Sequence, residues 1–193
     1  MILLYKAPAG KDLDLALAFF DRVKLAYRLL DDEAAGHSLK ALIEGEDSPS
    51  GQEADQSAII FSKDYSEEEV RRILDLVLAA GLRLQVPILV TEANGQTSLG
   101  EVLADMAAQQ AFIGTLTHLQ QLIDATGRLH EEDYDPDKWS EMKIAIADAN
   151  DVLADLVGED AEAAAQARET ITDKRDALAA SMERLLSYTG PSH

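Results

Sequence analysis

Asp133, Asp135 and Asp137 stand at alternate positions, the spacing with which a calcium loop begins. Such a loop also needs glycine at its sixth place and glutamate at its twelfth, where this chain has Lys138 and Ile144. Asp135 before Pro136 reads instead as the N-cap of a helix with proline in its first position, and the neighbouring acids favour the positive end of that helix. His37, His118, His130 and His193 are scattered. None has a histidine three or four residues away for a zinc site, and the chain has no cysteine. His130-Glu131-Glu132 is not the His-Glu-x-x-His motif. No Gly-x-Ser-x-Gly elbow marks a nucleophile, and no Gly-x-Gly-x-x-Gly or Walker run follows an apolar segment. No catalytic residue, metal site or cofactor is therefore assigned.

Two polar clusters follow apolar runs. Ser62, Lys63, Asp64 and Tyr65 come after residues 58–61, and Thr91, Glu92 and Asn94 after residues 88–90. In a parallel sheet both clusters, with Lys6, would lie at the C-terminal edge of the strands, where ligands bind. Thr91 and Asn94 would then donate to and accept from a small polar ligand. The structural alternative is a turn, with Asn94-Gly95 supplying positive φ and Ser98 capping the next helix. Tyr134 and Trp139 are the aromatic pair that could stack on a sugar. The three- and four-residue steps from Trp139 to Met142 and Ile146 place Trp139 in a buried helical seam instead.

The elements that must position these residues alternate. Residues 2–5 read as a buried strand, 12–22 as a helix, 23–27 as a second strand, and 31–44 as a moderately helical stretch. Residues 45–56 are acidic, hold Gly, Pro and Ser, and read as a mobile loop. A strand at 58–61 precedes a helix opened by a capping box at Ser66 and Glu69 and stopped by Gly81. A fourth strand at 87–90 precedes a second capping box at Ser98 and Glu101. The helix begun there continues to about Gly127. Asp135 to Gly158 and residues 160–188 then carry seams of Trp139, Met142, Ile146, Ala149, Leu153 and Leu156, and of Ala164, Ala167, Ile171, Leu178, Met182 and Leu185, with Lys174 interrupting the last.

The fold class is α/β plus all-α: a small four-stranded, parallel α/β domain over 1–107, followed by an antiparallel three-helix bundle over 108–193, joined by a continuous helix. Strand order 2-1-3-4 fits the intervening helices. A ferredoxin-like βαββαβ sheet fits if residues 31–56 are an insertion.

The formal net charge is −19, with 19 acids against 10 bases up to Ala107 and 17 against 7 beyond it. Acidity spread in this way repels phosphate backbones and anionic lipid, which argues against nucleic-acid and membrane partners. The charged residues after Tyr5 leave no signal-peptide core, so the expected location is cytoplasmic.

Residues 112–186 resemble the FIVAR module of bacterial surface proteins, a three-helix unit. The resemblance is carried by Leu119-Gln120-Gln121-Leu122-Ile123, by Tyr134-x-Pro136-x-x-Trp139 and by Val152-Leu153-Ala154-Asp155. It implies sugar binding, through Tyr134 and Trp139, or a spacer role. Residues 1–106 are similar to a family of small bacterial α/β proteins of unknown function that begin Met-Ile-Leu-Leu-Tyr and share segments like Ile59-Ile60-Phe61-Ser62 and Thr91-Glu92-Ala93-Asn94. That resemblance implies a fold and no chemistry. The expected function is that of a non-enzymatic, intracellular bacterial protein acting by protein–protein interaction or self-association. The alternatives are ligand binding or catalysis at the strand edge (Ser62, Lys63, Asp64, Tyr65, Thr91, Glu92, Asn94) and carbohydrate binding by the bundle.

Overall fold

The run Ile2–Tyr5 is apolar at every position and buried at every position, as a strand covered on both faces must be. The computed structural model describes residues 1–46 and 48–187; Tyr188, read above as the end of the last helix, and His193 lie outside them. Among the described residues the chain is mixed α/β, with four strands, six α-helices and a single 3-10 turn at Glu131–Asp133. The order is β1 (Ile2–Tyr5), α1 (Lys11–Val23), β2 (Tyr27–Leu29), α2 (Leu39–Glu44), β3 (Ala58–Phe61), α3 (Glu67–Ala79), β4 (Val86–Leu89), α4 (Leu99–Thr126), α5 (Pro136–Val157) and α6 (Ala161–Leu186). The chain divides into two compact units between Ala107 and Ala108, and α4 contributes residues to both.

In the first unit the strands are ordered β2-β1-β3-β4. The sheet is not parallel. β1 pairs parallel with β2, and β3 with β4, but β1 and β3 run antiparallel, with Leu3 opposite Ile60. This corrects the parallel expectation, and neither the all-parallel nor the ferredoxin-like arrangement describes the sheet. The reason lies in how the two halves meet: they pair through β1 and β3 with reciprocal contacts, and two equivalent strands that exchange the same contacts within one sheet run antiparallel. The connection between β2 and β3 also lacks the long helix that the sequence suggests. Within 31–44 only Leu39–Glu44 is helical, and its six residues span about 9 Å. The second strand also begins later than its alternating pattern suggests, because α1 runs on through Val23 and stops only where Lys24 turns left-handed at φ 58°.

The sheet is built from two copies of one βαβα plan. In the first half Lys24 N–H donates to Asp21 O and Leu25 N–H to Phe20 O; in the second, Gly81 N–H donates to Leu78 O and Leu82 N–H to Val77 O. Lys24 and Gly81 both have positive φ. Past an insertion near residues 83–85 the correspondence resumes: Leu30 N–H donates to Leu4 O and Val90 N–H to Phe61 O. The halves join reciprocally, through Leu39 N–H to Thr97 O and Leu99 N–H to His37 O, and through Lys40 N–H to Gly95 O and Gly100 N–H to Ala35 O. One of these contacts is tight at a glycine: a Cβ on Gly100 would lie 3.2 Å from Ala35 O. Gly95 is tight within its own turn, where a Cβ would lie 3.0 Å from Thr91 O and an ordinary 3.8 Å from Lys40 Cβ.

Both faces of the sheet are covered. Ile2, Leu4, Ile59 and Phe61 pack with Leu13, Ala16 and Phe20 of α1 and Ile73 and Val77 of α3. Leu3, Tyr5, Ile60 and Ile88 pack with Leu39 and Leu42 of α2 and Leu99 and Leu103 of α4. Each such aliphatic side chain contributes about 1.5–3 kcal/mol on burial. The two capping boxes form as the sequence signals, Ser66 with Glu69 and Ser98 with Glu101, whereas α2 starts at Leu39 instead of near residue 31, with Ser38 Oγ accepting from Ala41 N–H.

In the second unit Leu119 of α4, Trp139, Met142, Ala149 and Val152 of α5, and Ala167, Ile171, Leu178 and Leu185 of α6 form one apolar cluster. Lys174, which interrupts the last seam, pairs with Asp148 at 2.6 Å. Arg168 lies over the Phe112 ring, 5.2 Å from its centroid.

Candidate functional site

Because β1 and β2 end opposite to β3 and β4, there is no single C-terminal edge. Lys6 lies at one edge of the sheet, and Ser62, Lys63 and Asp64 lie at the other with Thr91 and Glu92. The second group lines a cleft of about 400 Å³, together with Lys40, Ile43 and Glu44 of α2 and Val90, Gly95 and Gln96.

The buried Ser62 hydroxyl donates to Asp64 Oδ2 (3.2 Å) and accepts from the Met1 amino group (3.1 Å). Lys40 reaches Glu44 at 3.7 Å. Lys63 is exposed and makes no ion pair among the described residues. Two residues named from the sequence do not line the cleft. Tyr65 packs edge-on against Phe61, centroids 5.7 Å apart, and burial pushes its phenol pKa up. Asn94 holds the turn: its Oδ1 accepts from Thr91 N–H (2.7 Å), its Nδ2 donates to Leu89 O (3.0 Å), and Thr91 Oγ1 accepts from Asn94 N–H (3.3 Å). The polar groups of Thr91 and Asn94 thus fix the backbone, while Lys63 and Glu92 line the cleft.

Sequence reasoning missed the α2 wall of Lys40, Ile43 and Glu44. A signal for it existed in the recurrence of Ser-Leu at Ser38-Leu39 and Ser98-Leu99, which marks two equivalent helix starts.

The corresponding place in the first half is not free. Residues 48–56, part of the stretch 45–56 that reads as a mobile loop, cross it and are bonded along their length. Ser50 N–H donates to Glu33 O, Ala35 N–H to Gln52 O, and Gly36 N–H to Ser50 Oγ. Tyr5 donates its hydroxyl to Asp32 O and accepts from Ala54 N–H, both at 2.8 Å. Glu53 pairs with Lys6 at 2.8 Å, which raises the lysine's pKa. His37 Nε2 lies 2.8 Å from Ser48 O. A wider, shallower groove of about 620 Å³ remains between residues 52–56 and the start of α4.

In the second unit Trp139 is 9% exposed, and the half-buried Tyr134 stacks on it with centroids 5.9 Å apart and planes 8° from parallel. The pair stacks on itself within the cluster and does not present an open tryptophan face. Asp135 caps α5, accepting from the N–H groups of Asp137 and Lys138. Among the described residues no group of three or more His, Cys, Asp or Glu side chains is placed to hold a metal ion, and no helix is long and apolar enough to cross a membrane.

Comparison with family models, with curated proteins and with solved structures finds no match for this chain.

Proposed function

We propose that this protein is a non-enzymatic, cytoplasmic interaction protein whose α/β unit binds its partner in the cleft between the ends of β3 and β4 and the α2 helix. In this reading the second unit is an antiparallel three-helix bundle of the FIVAR type that serves as a spacer or as a second contact surface. The carrying observation is the difference between the two halves. The same plan meets residues 50–54 of the chain itself at Tyr5 and Lys6, whereas at Ser62 and Lys63 no corresponding segment lies across the cleft among the described residues. The polar groups that would suit catalysis at this edge, Thr91 and Asn94, are engaged with the backbone, which favours binding over bond-making.

Immobilised protein is expected to retain a ligand from native cell extract, identifiable by mass spectrometry of the retained proteins and metabolites. Ser62→Tyr supplies in the second half the ring that Tyr5 supplies in the first, and is expected to abolish that retention. Equal retention by the folded variant, checked by circular dichroism, would remove the cleft from the function.

A further inference from the structure

We infer that the open cleft receives an extended peptide segment of a partner protein, one that carries a hydroxyl residue and, three positions later, a carboxylate beside a small side chain. The inference rests on the binding reading above and adds the class of ligand.

The pattern is copied from the chain's own Ser50, Glu53 and Ala54. Ser50 is held by its N–H on Glu33 O and by its Oγ, which accepts from Gly36 N–H. Glu53 is held by Lys6, and the Ala54 N–H by the Tyr5 hydroxyl. By the correspondence of the two halves, Glu33, Gly36, Lys6 and Tyr5 answer to Ala93, Gln96, Lys63 and Ser62. Ala93 O and Gln96 N–H make no hydrogen bond among the described residues, and both residues are exposed. Lys63 is the equivalent cation and has no ion pair there. Ser62 stands where the tyrosine ring stands in the first half, so the second site is emptier, and its hydroxyl, engaged by Met1 and Asp64, does not replace the Tyr5 hydroxyl as an anchor. Gly95 does not carry over either: its N–H bonds Thr91 O, whereas Ala35 N–H bonds Gln52 O. The incoming segment therefore keeps the anchors at Ala93, Gln96 and Lys63 and lacks those at Ser62 and Gly95. Asp64, Glu44 and Glu92 also line the cleft. Asp64 accepts from Ser62 and Glu44 pairs with Lys40, so the ligand's carboxylate has one cation to itself and a rim that rejects a highly acidic peptide.

The test titrates the ¹⁵N-labelled full chain with the synthetic peptide Ser-Pro-Ser-Gly-Gln-Glu-Ala-Asp-Gln, the sequence of residues 48–56, and in parallel with succinate. Saturable amide shifts are expected at Lys63, Ala93 and Gln96. Affinity is expected to weaken by about tenfold or more in Lys63→Glu, and equally when glutamine replaces the peptide's glutamate, the loss of one charge-assisted hydrogen bond. Shifts confined to Lys6, Glu33 and Gly36 would mean exchange with the chain's own segment and would overturn the inference, as would affinity indifferent to Lys63→Glu. Succinate moving Lys63 and Gln96 while the peptide moves nothing would overturn the peptide assignment and leave the binding reading standing. Silence to both ligands would overturn both.

Discussion

Glu69 and Glu101 each close a helix start by accepting from a serine backbone N–H and hydroxyl, Ser66 for the first and Ser98 for the second. Those hydrogen bonds hold both carboxyl pKa values below the ordinary glutamate range. A carboxyl whose folded pKa is lowered contributes stability at neutral pH and loses it as pH falls through the folded value. The melting temperature of the whole chain is therefore expected to fall as pH drops from neutral into and below the carboxylate range. The double variant Glu69→Ala/Glu101→Ala should start lower at neutral pH and fall less steeply with acid. Parallel curves for the two proteins would show that the caps do not set the acid response. These residues were legible before any coordinates, because Ser-x-x-Glu ahead of an apolar run has one local geometry that satisfies both donors. Thr91 and Asn94 were legible only as a pair of alternatives. Ligand and turn use the same donors and acceptors, and only coordinates show which atoms are engaged.

At the scale of elements, the turn after β4 is closely packed. A methyl group on Gly95 would sit 3.0 Å from Thr91 O, a backbone atom in the turn that lines the cleft. Gly95→Ala is expected to destabilise the first unit by about 1–3 kcal/mol, the usual cost of overpacking. Denaturant unfolding followed by circular dichroism measures this, and an unchanged midpoint would show that the turn yields. Three strands were readable from their apolar runs, β1 and β3 to the residue, whereas the alternation read over 23–27 meets the observed β2 only at Tyr27. Strand direction was not readable. A strand buried on both faces is apolar throughout whichever way it runs, so Ala58–Phe61 carries no mark of its antiparallel partner. The helix read over 31–44 shrinks to Leu39–Glu44, because its apolar stripe of Leu39, Leu42 and Ile43 lies wholly in that part and residues 31–38 form turns. The loop at 45–56 misled as well. Its composition is that of a solvated connection, and its order comes from Tyr5, Glu33 and Ala35, which are distant in sequence.

Across the whole molecule, the two units have different cores and different sources of rigidity. The first depends on long-range backbone pairing between halves, the second on side chains from three long helices meeting around Met142, Ala149 and Leu178. Met142 is fully buried, and Met142→Ala is expected to cost about 2–5 kcal/mol. The chain's sole tryptophan lies in that same cluster, stacked on Tyr134. Selective excitation of the indole therefore gives a built-in optical probe of one unit while staying blind to the other. Emission should shift red at the denaturant concentration where the helical unit opens, and Met142→Ala should move that midpoint. Ellipticity sums over both units, so a gap between the emission curve and the ellipticity curve shows that the two units open at different denaturant concentrations.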